Sequence, residues 1–298
     1  MANITRPSKF DDIIGQKSVL DRLKVMVNGC KNDDGVMPHV LIDGPPGLGK
    51  TTIAGAIANE MNVNLYVANA ANLRSIKSLM PYLMGISPRS ILFIDEIHRL
   101  PKIVEEFLYP IMEDFQLNMS IEDNIETIDI PLFTMVGATT SGGSLSQPFY
   151  DRFTIKEHLS FYVDADLAKL AKLNTVKLGI DISDEDLLEI AKRSKGTPRI
   201  LNARLQWYKN YKSCNQDSSS IDEIFQMQGI DRNGFDVYDK LYIETLQKSK
   251  GTPLGLKAIS SMTGIAIETI ENSIEPFLIR KGFVFRSQKG RLLKKYDL

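Results

Sequence analysis

The stretch His39–Thr52, HVLIDGPPGLGKTT, reads as a buried strand, a glycine-rich turn and the opening of a helix. Within it, residues 44–51 satisfy the phosphate-binding pattern G-x-x-x-x-G-K-[ST] at every position. Gly44, Gly47 and Gly49 permit backbone conformations and close approaches that a Cβ obstructs. Successive N–H groups can then face phosphate oxygens, and the helix behind them presents its N-terminus to negative charge. Lys50 has the reach for the β- and γ-phosphates, and the Thr51 hydroxyl suits Mg2+. This stretch alone leads us to expect a nucleotide-binding α/β fold.

Working outward, Val19, Leu20, Leu23 and Val27 have helical spacing over 16–30. Ahead of them, Arg6, Pro7, Phe10, Ile13 and Ile14 allow two readings: an apolar pocket for a base, or a segment pinned to the core. Downstream, the pattern predicts a helix over 51–62, a strand over 64–70 and a helix over 75–84. Ser90–His98, SILFIDEIH, is then a buried strand whose far end carries Asp95 and Glu96, with Asp95 45 residues after Lys50. In open α/β sheets, ligands bind outside that end. Asp95 is expected to hold Mg2+ through its water shell, and Glu96 to polarise an attacking water. Ile103–Asp114 has the i, i+3, i+4 pattern of a packed helix. Leu117–Ile130 alternates like a β-hairpin, either a contact arm or an ordinary surface hairpin. Phe133–Thr140 is a buried strand ending in Thr139 and Thr140, hydroxyls placed to sense a γ-phosphate. Residues 154–162 are expected to form the last strand. Strands alternating with helices imply a parallel sheet covered on both faces.

After Tyr162 the pattern turns helical, with helices expected over 167–178, 184–194 (capped by Asp184) and 198–212. Gly196-Thr-Pro-Arg199 puts an arginine near a helix start, where anions are favoured and a nucleotide phosphate is within its chemistry. The polar run 217–220 reads as a loop and helix cap. Residues 229–298 suggest three helices and a terminal hairpin, the pattern of a winged helix. Residues 229–298 hold 12 basic and 8 acidic residues, net +4, which leaves −5 for residues 1–228. Positions 280, 281, 286, 289, 291, 294 and 295 are all Lys or Arg, with no acid between them. Such a hairpin fits phosphate contacts, or else a solvated basic tail.

Composition sets the outer limits. The 298 residues, 43% hydrophobic and 24% charged, are ordinary for a globular protein of two or three domains. No apolar run approaches the roughly 18 residues of a membrane span. The first residues lack the apolar core of a signal peptide. Cys30 and Cys214 have no metal spacing and are expected to be free thiols in a reducing cytosol, so a cytoplasmic location is expected.

Together the motifs resemble the RuvB family, bacterial Holliday-junction branch-migration motors of the AAA+ class. The resemblance rests on Arg6-Pro7, GPPGLGKTT at 44–52, FIDEIHRL at 93–100, VEEFLYPIMEDF at 104–115, GATT at 137–140, DRF at 151–153, GTPRI at 196–200, GFD at 234–236 and EPFLIRKGF at 275–283. It implies a large AAA+ domain (1–162), a helical lid (163–228) and a winged helix (229–298). It further implies ATP contacts near the base from Thr5 and Arg6, and phosphate and metal contacts from Gly47, Lys50, Thr51 and Thr52. A further nucleotide contact falls on Glu113, Asp114 and Phe115. Arg152 matches an arginine finger given to a neighbour's ATP, Tyr162 an adenine-side contact, and Arg199 a second sensor. Arg286 and Arg291 match DNA-contacting positions. The implied partners are DNA junctions, sister subunits in a ring (a hexamer by analogy), RuvA through hairpin 117–130, and RuvC in a larger complex. Three departures stand out: the hairpin is shorter than the family's, and Ser141 and Tyr150 replace family arginines. Two other readings stay open at this stage. One is a related AAA+ machine of the clamp-loader or initiator type, and the other a nucleotide-gated DNA-binding scaffold that does not hydrolyse.

Overall fold

A run of apolar residues such as Ile91-Leu-Phe-Ile94 suits a strand covered on both faces, and all four side chains are at most 1% exposed. The computed structural model describes residues 6–121, 124–214 and 219–294. Thr5, the hairpin residues Glu122 and Asp123, and Lys295 lie outside them. The chain forms two compact units, Thr5–Phe161 and Tyr162–Leu298.

The first unit contains strands β1 (Val40–Asp43), β2 (Leu65–Asn69), β3 (Ile91–Asp95), β4 (Gln116–Ile121), β5 (Asn124–Asp129), β6 (Thr134–Thr139) and β7 (Ile155–His158). Its helices are α1 (Lys17–Asn32), α2 (Lys50–Met61), α3 (Ile76–Met84), α4 (Lys102–Glu113) and the short α5 (Gln147–Asp151). Five strands form one sheet in the order β2-β3-β6-β1-β7, every pair parallel. Parallel neighbours need crossover connections, which the helices supply. β6 therefore lies between β1, which feeds the phosphate loop, and β3, which carries Asp95. α4 buries Val104, Leu108, Ile111 and Met112, the face its spacing predicts. Each such side chain contributes about 1.5–3 kcal/mol by leaving water. The β4–β5 pair is a separate antiparallel hairpin.

The first segment is pinned to α2. Phe10 is buried, its N–H donates to Glu60, and Asn59 Nδ2 donates to the Ser8 carbonyl. Arg6 is exposed.

The last strand is shorter than expected. β7 stops at His158 because β1, its only partner among the described residues, stops at Asp43, where the glycine-rich loop departs. Leu159 N still donates to Asp43 O at 2.8 Å, and beyond it the ladder has no partner to continue on.

The second unit contains α6 (Asp164–Leu178), α7 (Asp184–Lys192), α8 (Pro198–Cys214) and α9 (Ile221–Gln226). Ser183, not Asp184, caps α7, its hydroxyl accepting from Asp186 N at 3.1 Å; Asp184 sits in the first turn. α9 starts on a reciprocal Ser220–Glu223 capping box, legible as S-x-x-E. The same unit continues with α10 (Val237–Lys248), α11 (Leu256–Thr263), and a helical run comprising α12 (Ile267–Thr269), a π turn at 270–274 and α13 (Glu275–Arg280). β8 (Val284–Ser287) and β9 (Gly290–Leu293) form the terminal hairpin, joined by a bridge from Leu254 to Arg291. Tyr242, Ile259, Ile270, Phe277, Leu278 and Val284 form the core of this part. Lys195 is tied to Asp236 and to the fully buried Asp239 at the start of α10.

Candidate functional site

β1 ends at Asp43 and the chain turns at Gly44, whose φ is +144°. A Cβ at Gly44 would stand 2.7 Å from Leu159 O, so the close approach of two backbones requires glycine. Gly47 and Gly49 also have positive φ, and Gly49 leads directly into α2 at Lys50. The Lys50 ammonium is folded into the loop, donating to Gly44 O at 2.6 Å and Pro45 O at 3.1 Å. Thr51 and Thr52 follow on the first turn, both half-buried. Loop N–H groups, a helix N-terminus and one ammonium make a cradle for a polyphosphate.

Next to this cradle, Gly44 N donates to Thr139 O at 3.2 Å. Thr139 is buried at the end of β6, and its hydroxyl accepts from Ser141 N at 2.9 Å and meets His98 Nδ1 at 2.9 Å. His98 Nδ1 lies 3.4 Å from Glu96 Oε2, and Thr140 Oγ1 donates to that same oxygen at 3.0 Å. Glu96 itself adopts a left-handed conformation, φ +51°, which costs a non-glycine residue about 1–3 kcal/mol. Asp95 Oδ1 accepts from Glu96 N at 3.1 Å. The spacing pointed to Asp95, Glu96, Thr139 and Thr140. His98, which bridges two of them, carried no signal beyond lying three residues after Asp95.

Thr51 and Asp95 carry a hydroxyl and a carboxylate, the kinds of oxygen that Mg2+ takes together with substrate phosphates.

Glu113, Asp114 and Phe115 lie elsewhere on the first unit. Glu113 and Phe115 line a cavity of about 750 Å³ with His39, Met112, Pro148 and Arg152, and no residue of the glycine-rich loop lines it. Asp114 is exposed at the end of α4. Arg152 Nη2 pairs with Glu113 at 3.1 Å, Nη1 donates to Pro148 O at 2.7 Å, and the guanidinium carbon lies 4.0 Å from the Tyr109 ring centroid. His39 is buried in the wall of this cavity between Phe115 and Phe133. Its Nδ1 accepts from Met135 N, so Nε2 carries the proton and donates to Met112 O. Burial lowers its pKa below the ordinary 6.5.

In the second unit, Tyr162 is buried and its N–H donates to Gly196 O at 2.9 Å. Arg199 is exposed in the first turn of α8. Arg286 and Arg291 lie directly opposite each other on β8 and β9. Both are anchored to one fully buried carboxylate, Glu275. Arg291 Nε donates to Oε1 and Arg286 Nε to Oε2, each at 2.8 Å, and the Tyr242 hydroxyl donates to Oε1 at 2.8 Å. Burial alone raises the Glu275 pKa, but bonds from Arg291 and Tyr242 and the two positive charges outweigh it and hold it below 4.5. Glu275 was not among the expected site residues. Its helical spacing marks a buried position, and only the structure brings it under the hairpin.

Three RuvB domain families match in tandem. The Holliday junction DNA helicase RuvB P-loop domain matches residues 5–159, the RuvB AAA lid domain 162–236 and the RuvB C-terminal winged helix domain 232–296. The chain belongs to the RuvB family. It is 40% identical over 296 residues to the Holliday junction branch migration complex subunit RuvB of Rhodopirellula baltica, covering 96% of this chain and 81% of that one. It also resembles the solved Thermotoga maritima RuvB Holliday junction branch migration motor, with a TM-score of 0.89, 35% identity, and coverage of 97% of this chain and 95% of that one. A point mutant of the same Thermotoga protein gives a TM-score of 0.90 at 35% identity, covering 98% and 96%. The RuvB fold accounts for both units: a parallel-sheet P-loop domain that binds nucleotide, an AAA lid and a winged helix. Among the described residues no helix is long and apolar enough to cross a membrane.

Proposed function

We propose that the chain is an ATP-driven DNA motor that moves Holliday-junction branch points in recombination and repair, working as a ring, a hexamer by analogy with its family. The observation that carries this reading is the division of the expected nucleotide contacts into two separate clusters. Lys50, Asp95, Glu96 and Thr139 gather at the end of the sheet. Arg152, Glu113 and Phe115 share a different cavity. A hydrolytic site split in this way is completed when two copies meet.

In the proposed mechanism, Gly44, Gly47, Gly49, Thr52 and the N-terminus of α2 hold the phosphates of ATP. Lys50 leaves its loop carbonyls for the β- and γ-phosphate oxygens. Mg2+, when bound beside Thr51 and Asp95, neutralises phosphate charge. Glu96 orients the attacking water, and Thr139 reports the γ-phosphate. Arg152 of the adjoining copy stabilises charge developing on the transferred group, a contribution of about 10³–10⁵ in rate for such fingers. Thr5, Arg6 and Tyr162 serve the base side, Arg199 acts as the lid's sensor, and Asp114 completes the further nucleotide contact. Residues 1–162, 163–228 and 229–298 act as ATPase, lid and DNA-binding domains. Arg286 and Arg291 meet DNA phosphates, and hairpin 117–130 recruits RuvA, with RuvC joining a larger complex. Ser141 and Tyr150 leave the ring interface two positive charges poorer than in relatives.

Glu96→Gln tests the hydrolytic assignment. ATP binding is expected to persist while DNA-stimulated turnover falls by about 10²–10⁴, the range of a lost general base. Full turnover in this variant would remove Glu96 from the mechanism.

A further inference from the structure

Arg152 is short of hydrogen-bond partners, and its surroundings are built for something other than bonding. Its Nε is buried without a partner, Nη1 meets a carbonyl, and Nη2 meets a carboxylate, Glu113, that is itself half-exposed. Its guanidinium lies over the ring of Tyr109. A guanidinium 4.0 Å above an aromatic centroid is held by the ring quadrupole and by its own planarity. The ring in turn is fixed from its far end. The Tyr109 hydroxyl donates to Glu105 Oε1 at 2.9 Å and lies 3.1 Å from Ser146 Oγ. Ser146 donates to the same buried carboxylate oxygen and also caps α5, the helix that delivers Arg152. Glu105 and Tyr109 are four residues apart on α4 and so share one face of that helix. Two elements that present the finger, α4 and α5, are thus locked together through Glu105, Ser146 and Tyr109.

We propose that Tyr109 is a positioning residue for the arginine finger: its anchored ring is the platform that aims the Arg152 guanidinium into the neighbouring copy's active site. This rests on the reading of Arg152 as a finger acting in trans. Glu113, which lines the same cavity, is the resting partner of the same guanidinium, holding it until a neighbour's nucleotide supplies a stronger anion. A stacked arginine can exchange one anion for another on Nη2 without leaving the ring, which keeps its direction fixed through the exchange. The platform therefore acts on turnover and not on nucleotide binding, because the ring aims the finger and is not itself among the expected nucleotide contacts.

The test uses full-length chains assembled on duplex DNA. Tyr109→Leu removes the ring and is expected to lower kcat about tenfold with KM for ATP unchanged. Tyr109→Phe keeps the ring and is expected to stay within about threefold of wild type. Mixing then assigns the defect to one side of the interface. Lys50→Ala copies cannot hold ATP but carry an intact finger and platform. Added to Tyr109→Leu copies, they should restore wild-type turnover at every intact ATP site that receives its finger from a Lys50→Ala copy, as they should for Arg152→Ala copies. Wild-type turnover by Tyr109→Leu alone would overturn the platform. So would failure of Tyr109→Leu to be rescued while Arg152→Ala is rescued, because the damage would then lie in its own ATP site. If Arg152→Ala is not rescued either, the trans finger itself is wrong and the platform falls with it.

Discussion

Glu275 offers the sharpest test of how the wing is built. It is fully buried and accepts from Arg286, Arg291 and Tyr242. Glu275→Gln preserves shape and removes the charge. Bonds to a charged group contribute about 1.5–3 kcal/mol each against about 0.5–1.5 for neutral ones. The amide nitrogen also cannot accept, so at least one arginine is left facing a donor. Breaking a buried pair costs about 3–5 kcal/mol. Arg286 is half-exposed, and solvent replaces part of its loss, so the lower end, about 3 kcal/mol, is expected. Against a domain stability of about 5–15 kcal/mol this is large. Hydrogen exchange on the full chain reads it locally: amide protection over residues 237–293 should fall by about a hundredfold at neutral pH. Acid should reproduce the effect in the wild type. The carboxyl is held below its ordinary 4.5, so its contribution is complete above that value and is lost as pH falls through the lower, folded-state value. The two proteins should therefore converge as pH falls through that lower value. The variant keeps both arginines, so the slope of DNA affinity against salt should not flatten, whereas removing both arginines should flatten it by up to about two phosphate contacts. Unchanged protection in Glu275→Gln would refute the reasoning.

Two further outcomes follow from the first unit. Gly44→Ala places a Cβ against Leu159 O at 2.7 Å in a backbone conformation that L-residues avoid, so the loop must shift and nucleotide affinity should fall at least about tenfold by equilibrium titration. His39 is held neutral by burial, so its folded-state pKa lies below 6.5. Its contribution is complete above pH 6.5 and drains away as pH falls through the folded value; calorimetry should show that acid slope in the wild type and lose it in His39→Gln.

Much of this architecture is local in origin and so was legible. The phosphate loop announces itself because glycine spacing and Lys50 are chemical requirements of one short segment. β3 was legible because both its faces are buried, which leaves a continuous apolar run before Asp95. The end of β7 was not, because strand length there depends on where its partner β1 stops. Arg152 was singled out only through resemblance, since a lone arginine near a short helix has no local signature. The Tyr109 ring beneath it lies 43 positions earlier in the chain, on another helix, and no periodicity links the two. Glu275 was hidden for the same reason: its partners are brought over it by the fold of the terminal hairpin.

The central claim is that ATP turnover at this split site drives movement of a DNA branch point. The direct measurement is separation of a labelled four-way junction by the full-length chain with ATP and Mg2+, with and without RuvA, beside the Glu96→Gln variant. Conversion of the junction to duplex products by the wild type, accelerated by RuvA and absent in Glu96→Gln, is the predicted result. Junctions left intact by a wild-type protein that hydrolyses ATP under the same conditions would contradict it.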